Sequence, residues 1–235
     1  EKLAKEGVQP IVGVQLGIDF GDEPAPVAGI ERPIAGAGGL VLIARNEAGY
    51  ESLMRLVSRA WLDESTVEPS AALAALAEET AGLIALTGGP AGPIDRLIRE
   101  GQADLARKRL ANLQGMFGDR LYVEIQRHGE EAERETERYL RDMAYRGGLP
   151  LVATNEPYFA ARADFEAHDA LLCISDGAML EDDARRRLTP EHRFKTRAEM
   201  RALFADLAEA TDNSVAIALR CSYRPKTRKP ILPRF

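Results

Sequence analysis

The chain has 235 residues, 45% of them hydrophobic and 29% charged, a balance that supports a buried core without disulfide or metal staples. The net charge of −6 is uneven: residues 220–235 hold six bases (Arg220, Arg224, Lys226, Arg228, Lys229, Arg234) and no acid, leaving 25 basic against 37 acidic side chains elsewhere, a net of −12. So acidic a body repels phosphate backbones, and no run of 18 apolar residues exists to span a membrane, which excludes a whole-domain nucleic-acid clamp and a transmembrane helix.

Glu1–Gly7 reads as the end of a helix without an apolar leader region, so no signal peptide is expected and the sequence reads as a piece of a longer protein. Nearly continuous apolar runs predict strands at Ile11–Ile18, Leu40–Ala44, Leu83–Leu86, Leu121–Ile125 and Leu149–Ala153, as in a sheet covered on both faces. Amphipathic segments alternate with them. Asn46 is a candidate N-cap for a helix whose apolar positions are Tyr50, Leu53, Met54, Val57, Ala60 and Trp61. Ser70 is read as opening a second helix. Residues 102–117 predict a third, with Leu105, Leu110, Leu113 and Phe117 inward. Residues 130–146 predict a fourth, with Ala132, Tyr139, Leu140 and Met143 on one stripe and Gly147-Gly148 ending it.

After residue 154 the strand pattern stops. Asp164 reads as the cap of a helix through Ile174, and Thr189-Pro190 as another helix start. Thr196 to Glu199 fits a capping box opening a long helix to about Leu219. Prolines at 225, 230 and 233 predict an extended basic strap that docks through Ile231, Leu232 and Phe235. Strand–helix alternation predicts a parallel sheet, open or closed into a barrel.

Chemistry is sparse. Cys173 and Cys221 lack metal-site spacing and read as reduced thiols, with Cys173 in core packing. His128, His168 and His192 match no local ligand pair; His168 is expected as a hydrogen-bonded core histidine and His192 as exposed in a first helical turn. Ligands in parallel α/β folds gather at carboxyl strand ends, where Gln15, Thr87, Glu124, Gln126, His128, Asn155 and Glu156 fall. Gly36-Ala37-Gly38-Gly39 precedes a strand instead of following one, and Thr87-Gly88-Gly89-Pro90 lacks the Lys-Ser/Thr of a phosphate loop.

Six strings taken together are familiar: Gly7-Val8-Gln9-Pro10-Ile11-Val12-Gly13, Leu40 through Tyr50, Gly82 through Gly88, Glu124-Ile125-Gln126-Arg127-His128-Gly129, Leu151 through Asn155, and Asp164-Phe165-Glu166-Ala167-His168. In order they resemble the polymerase-and-histidinol-phosphatase (PHP) domain of bacterial DNA polymerase III alpha subunits. The resemblance implies an irregular (β/α)7 TIM-like barrel, incomplete at its N-terminus. It divides the chain into barrel (1–160), helical part (161–219) and a basic linker (220–235) toward a palm domain beyond Phe235.

Active members hold up to three metal ions at strand ends. Residue by residue, the family's metal-binding glutamate corresponds to Gln15, a histidine to Gly39, a cysteine to Gly89, and the final Asp-x-His to Glu156-Pro157-Tyr158. The resemblance therefore implies the fold without the metal cluster. No catalytic, metal or nucleic-acid-binding residue and no cofactor is expected in this chain, whereas the parent polymerase is expected to use magnesium. The implied role is a cytoplasmic scaffold bracing the other polymerase domains and docking a proofreading exonuclease subunit, reaching DNA through the parent and no membrane. The competing readings are an active metal-dependent phosphoesterase or 3′–5′ exonuclease, and a free-standing hydrolase using Glu124 and Glu156.

Overall fold

Every apolar run predicted as a strand forms one, and a further strand joins them. The structure, a computed structural model, describes residues 2–22, 39–62 and 69–225. Its strands are β1 (Gly13–Asp19), β2 (Gly39–Ala44), β3 (Ser70–Ala72), β4 (Leu83–Leu86), β5 (Leu121–Ile125) and β6 (Leu151–Ala153). They make one sheet in the order β3-β1-β2-β4-β5-β6.

The sheet is mixed, which corrects the all-parallel expectation. β2 runs antiparallel to β1 and to β4, while β1–β3, β4–β5 and β5–β6 are parallel. A parallel pair needs a crossover, usually a helix. The sequence between β1 and β2 has prolines at 24, 26 and 33 and no amphipathic helical period to supply one. The described strands form an open sheet with β3 and β6 at its edges, not a closed barrel.

Ser70 is the first residue of β3, not a helix start; its strand pairs Gly17–Asp19 of β1 before helix α3 (Leu73–Glu78) begins. Ladder pairing with β1 outweighs the helical preference of Ala71 and Ala72. The other helices are α1 (Lys2–Lys5), α2 (Glu47–Leu62), α4 (Asp95–Arg99), α5 (Ala103–Phe117), α6 (Glu131–Gly147), α7 (Phe165–Asp176), α8 (Arg197–Leu203) and α9 (Ala208–Arg220).

Leu40, Leu42 and Ala44 alternate into a core shared with Leu16, Ile18, Leu53, Leu56, Leu113 and Phe117. The opposite face of the sheet carries Val41, Ile43, Ile84, Leu86, Tyr122 and Val152, packed with Ile217 and Cys221 near the end of α9. Asn46 caps α2 as expected, its Oδ1 accepting from the Gly49 amide at 3.0 Å. Yet α2 buries Gly49, Ser52, Leu53, Leu56 and Ala60, leaving Met54 and Trp61 exposed. The face is rotated from expectation because Gly49 lies against the sheet; a Cβ there would approach the Gly82 carbonyl oxygen to 2.1 Å. On α6, Tyr139 is likewise exposed, and Thr136 and Glu133 are buried instead.

The region after β6 departs further from expectation. Residues 189–192 form a turn, with no helix starting at Pro190. Asp164 turns its carboxylate back to the Ala161 amide (2.8 Å) and does not cap α7. Thr196 and Glu199 do form the capping box of α8. The long helix is broken into α8 and α9, with Phe204 and Leu207 wedged fully into the core between them. The expected docking of Ile231, Leu232 and Phe235 lies outside the described residues.

Candidate functional site

Residues from β1, β2, β4, β5 and β6 converge at one end of the sheet. This is the carboxyl end of the parallel strands, where the sequence put its polar candidates. Strand periodicity turns Gln15 and Gly39 to the same face, next to the tight turn after β4. That turn needs glycine. Gly88 has φ +91°, and a Cβ on it would lie 1.8 Å from the Gly39 carbonyl oxygen.

Gly39 and Gly89, which the resemblance sets at ligand positions, each lie against a glutamine. A Cβ on Gly39 would meet Gln15 Cγ at 2.7 Å, and one on Gly89 would meet the Gln126 amide group at 2.8 Å. In each case the flexible end of a glutamine stands where a side chain at the glycine would begin.

Glu124 lies at the centre, 3% exposed. Its Oε1 accepts from Thr154 Oγ1 (2.5 Å) and Gln126 Nε2 (3.2 Å), and its Oε2 from the Gly88 amide (3.0 Å). Thr87 Oγ1 accepts from the Glu124 amide at 2.9 Å. Burial raises the carboxyl pKa of Glu124, opposed by these bonds, and the Glu156 charge adds to the rise. Glu156, with a left-handed φ of +36°, accepts from Tyr158 OH (2.9 Å) and Gln126 Nε2 (3.4 Å). Burial and the neighbouring Glu156 push the Tyr158 phenol up to about 12.

Next to this network is a cavity of about 10 Å3 lined by Asp95, Glu124, Gln126, Glu133 and Thr136, among others. Asp95 is 1% exposed; its Oδ1 accepts from Thr136 Oγ1 at 2.9 Å, and its Oδ2 has no hydrogen-bond partner. Burial pushes its carboxyl up to about 8, so it is mostly protonated at neutral pH. Asp95 was not among the sequence candidates. Its signal was a lone acid between the apolar pairs Pro93-Ile94 and Leu97-Ile98.

A histidine pair flanks the cluster. His128 and His192 stack with centroids 3.8 Å apart and 9° between planes. His128 Nδ1 faces Glu133 Oε1 at 2.7 Å and Nε2 faces the Asn155 carbonyl oxygen at 2.5 Å. His192 is buried rather than exposed, because the turn at 189–192 folds under β5: Thr189 Oγ1 donates to the His128 carbonyl at 2.8 Å. Burial, with the charge of His128 next, lowers His192 to about 4. His168 packs against Tyr158 and Phe159, and its buried Nδ1 has no hydrogen-bond partner, against the expectation of a bonded core histidine. Both cysteines are free, as read, and Cys221 is buried along with Cys173.

The comparisons with known proteins fit this arrangement in fold. The model of the PHP domain matches residues 1–128. The chain belongs to the PHP domain family. It is 48% identical over 235 residues to the DNA polymerase III subunit alpha of Caulobacter vibrioides (strain NA1000 / CB15N), covering 97% of this chain and 20% of that protein. The same subunit of Vibrio cholerae is 35% identical over 234 residues, covering 97% and 19%, and that of Thermus aquaticus 34% over 227, covering 94% and 18%. The chain thus spans about a fifth of the length of these relatives.

The metal cluster associated with PHP domains does not fit the residues here. Gln15 offers a neutral amide packed over Gly39, Gly39 and Gly89 offer nothing, and Tyr158 holds its proton. Glu124 and Glu156 are committed to internal donors. Among the described residues no three histidines, cysteines or acids come together as a metal-holding group. Among them, too, no helix is long and apolar enough to cross a membrane.

Proposed function

We propose that this chain is a non-catalytic bracing domain of a DNA polymerase III alpha subunit, whose template-directed synthesis of DNA is carried out elsewhere in the parent. The observation that carries this reading is the pairing of Gln15 with Gly39 and of Gln126 with Gly89, which fills the ligand space with side chains that bind divalent metals poorly. In this reading residues 1–160 are part of a (β/α)7 barrel, 161–219 its helical extension, and 220–235 the linker to the palm. The partners are the other polymerase domains and a proofreading exonuclease subunit, in the cytoplasm. Magnesium would serve the parent's palm and not this domain. The relatives' names and the matching PHP family support a polymerase alpha subunit as the parent.

Elemental analysis of protein purified without chelator, with a phosphodiesterase assay on the same sample, tests the reading. Substoichiometric zinc and manganese with no phosphodiester cleavage is expected. Stoichiometric metal removed together with a cleavage activity would make the domain an active phosphoesterase.

A further inference from the structure

The end of the sheet opposite the carboxylate network gathers three guanidiniums. Arg45 follows the last residue of β2, and its amide donates to the Gly82 carbonyl at 2.8 Å. Arg120 precedes β5 and donates through Nη1 to the carbonyls of Leu83 (2.8 Å) and Thr80, so it adjoins the residue next to Gly82. Arg220 ends α9 and donates to the Asp119 carbonyl (2.9 Å), the Asp119 carboxylate (2.8 Å) and Tyr122 OH (2.9 Å), one residue from Arg120. Hydrogen bonds to consecutive residues therefore place the three side by side.

Their charges are poorly opposed. Among the described residues, Asp119 is the one carboxylate in an ion pair with any of the three, and it is 84% exposed. The buried Nε of Arg45 has no acceptor. Arg120 is spent on carbonyl oxygens, which leave its charge in place. Residues just after α9 lie at this same end: Cys221 follows Arg220, and the Tyr223 ring lies 5.4 Å from that of Tyr50 in the first turn of α2, close in sequence to Arg45. The next residues continue the charge, with Arg224, Lys226, Arg228 and Lys229 and no acid through residue 235.

We propose that Arg45, Arg120 and Arg220, with Arg224 beyond them, form a phosphate-binding notch for the backbone of a nucleic acid. A guanidinium binds a phosphate in a fork of two bonds, and Arg45 is the group with capacity free for it. A file of bases spaced along the sequence matches a repeating polyanion better than a single free phosphate. The acidic remainder repels the same polymer, which confines the contact to this end. The choice of DNA rests on the polymerase reading above, whereas the notch itself rests on the arginines. It departs from the sequence expectation that no residue of the chain contacts nucleic acid.

The test is fluorescence anisotropy of a short labelled DNA duplex with the chain at several salt concentrations. Arg45→Ala and Arg224→Ala are compared with wild type, and circular dichroism checks that both fold. Arg45→Ala is expected to weaken binding several-fold and to make the slope of log affinity against log salt shallower by about 0.9, one phosphate contact. Arg45→Lys should restore the slope. Absence of DNA binding, or affinity and slope unchanged in both alanine variants, overturns the proposal. Labelled polyglutamate bound as tightly as DNA, with the same dependence on Arg45, would make the surface an acidic-peptide site. Inorganic phosphate displacing the duplex at micromolar levels would make it a small-anion site. Failure of the notch leaves the metal content unchanged, so it is separable from failure of the bracing-domain reading.

Discussion

The two ends of this sheet are built from the same strands and handle charge in opposite ways. At the carboxyl end, Glu124 is 3% exposed and met by Thr154, Gln126 and the Gly88 amide, and Asp95 beside it is held neutral by burial. At the other end, among the described residues, Arg220 alone of Arg45, Arg120 and Arg220 has an ion-paired carboxylate, Asp119, which is largely in water. Burial makes the difference. A buried carboxylate must be satisfied by fixed donors or protonated, and both leave it little power to bind anything else. The guanidiniums are only partly buried, and the carbonyl oxygens that Arg120 meets leave its charge in place. The end that is lined with acids and histidines, and so resembles a catalytic centre in sequence, is the end where Glu124 is met by fixed donors and Asp95 is left with one unpartnered oxygen.

Substitutions should separate the two ends. The largest effect is expected at Gly88, where alanine would combine φ +91° with a contact of 1.8 Å to the Gly39 carbonyl. Gly88→Ala should cost about 3 kcal/mol or more in urea unfolding. Arg45→Ala, which removes no described ion pair, should change stability by less than about 0.5 kcal/mol. If both changes cost the same, the contrast between a locked end and an open one is lost.

A smaller effect concerns Asp95. Its folded pKa of about 8 lies above its ordinary 3.8, so the fold holds a proton that the unfolded chain releases between these values. The stabilising contribution is whole below the ordinary aspartate range, falls as pH rises, and is gone above about 8. Stability of wild type relative to Asp95→Asn should therefore fall from about pH 5 to about pH 8, by at most about 1.4 kcal/mol per unit. A difference that is flat or rises with pH would mean that Asp95 is ionised in the fold. The smallest effect is spectroscopic. The ring of His192 should stay neutral on acidification to about 4 in an NMR titration, while an ordinary midpoint near 6.5 would show that the stacked pair opens to water.

Strand positions were legible because runs such as Leu83–Leu86 and Leu121–Ile125 are buried on both faces, and an unbroken apolar run records that directly. Strand direction was not, since Leu40–Ala44 reads the same parallel or antiparallel; the proline-rich stretch between β1 and β2 was the overlooked clue. β3 escaped because Ser-Ala-Ala has neither β-branching nor length, and its ladder with β1 is a tertiary fact. Gln15, Glu124 and Glu156 were legible as positions at one end of the sheet, and Gly39 and Gly89 only through the family resemblance. The packing of each glutamine over a glycine was not, because no local pattern links Gln15 to Gly39 or Gly89 to Gln126. His192 was read as exposed because the turn that buries it is closed by Thr189 bonding to His128, 61 residues away.

The bracing-domain proposal holds that the carboxyl end takes no metal. Isothermal titration of the metal-free chain with manganese and with zinc tests it most directly. The account predicts no saturable heat for either ion, and the same result for Glu156→Ala. A one-to-one binding curve that is abolished by Glu156→Ala or Gln15→Ala would contradict it.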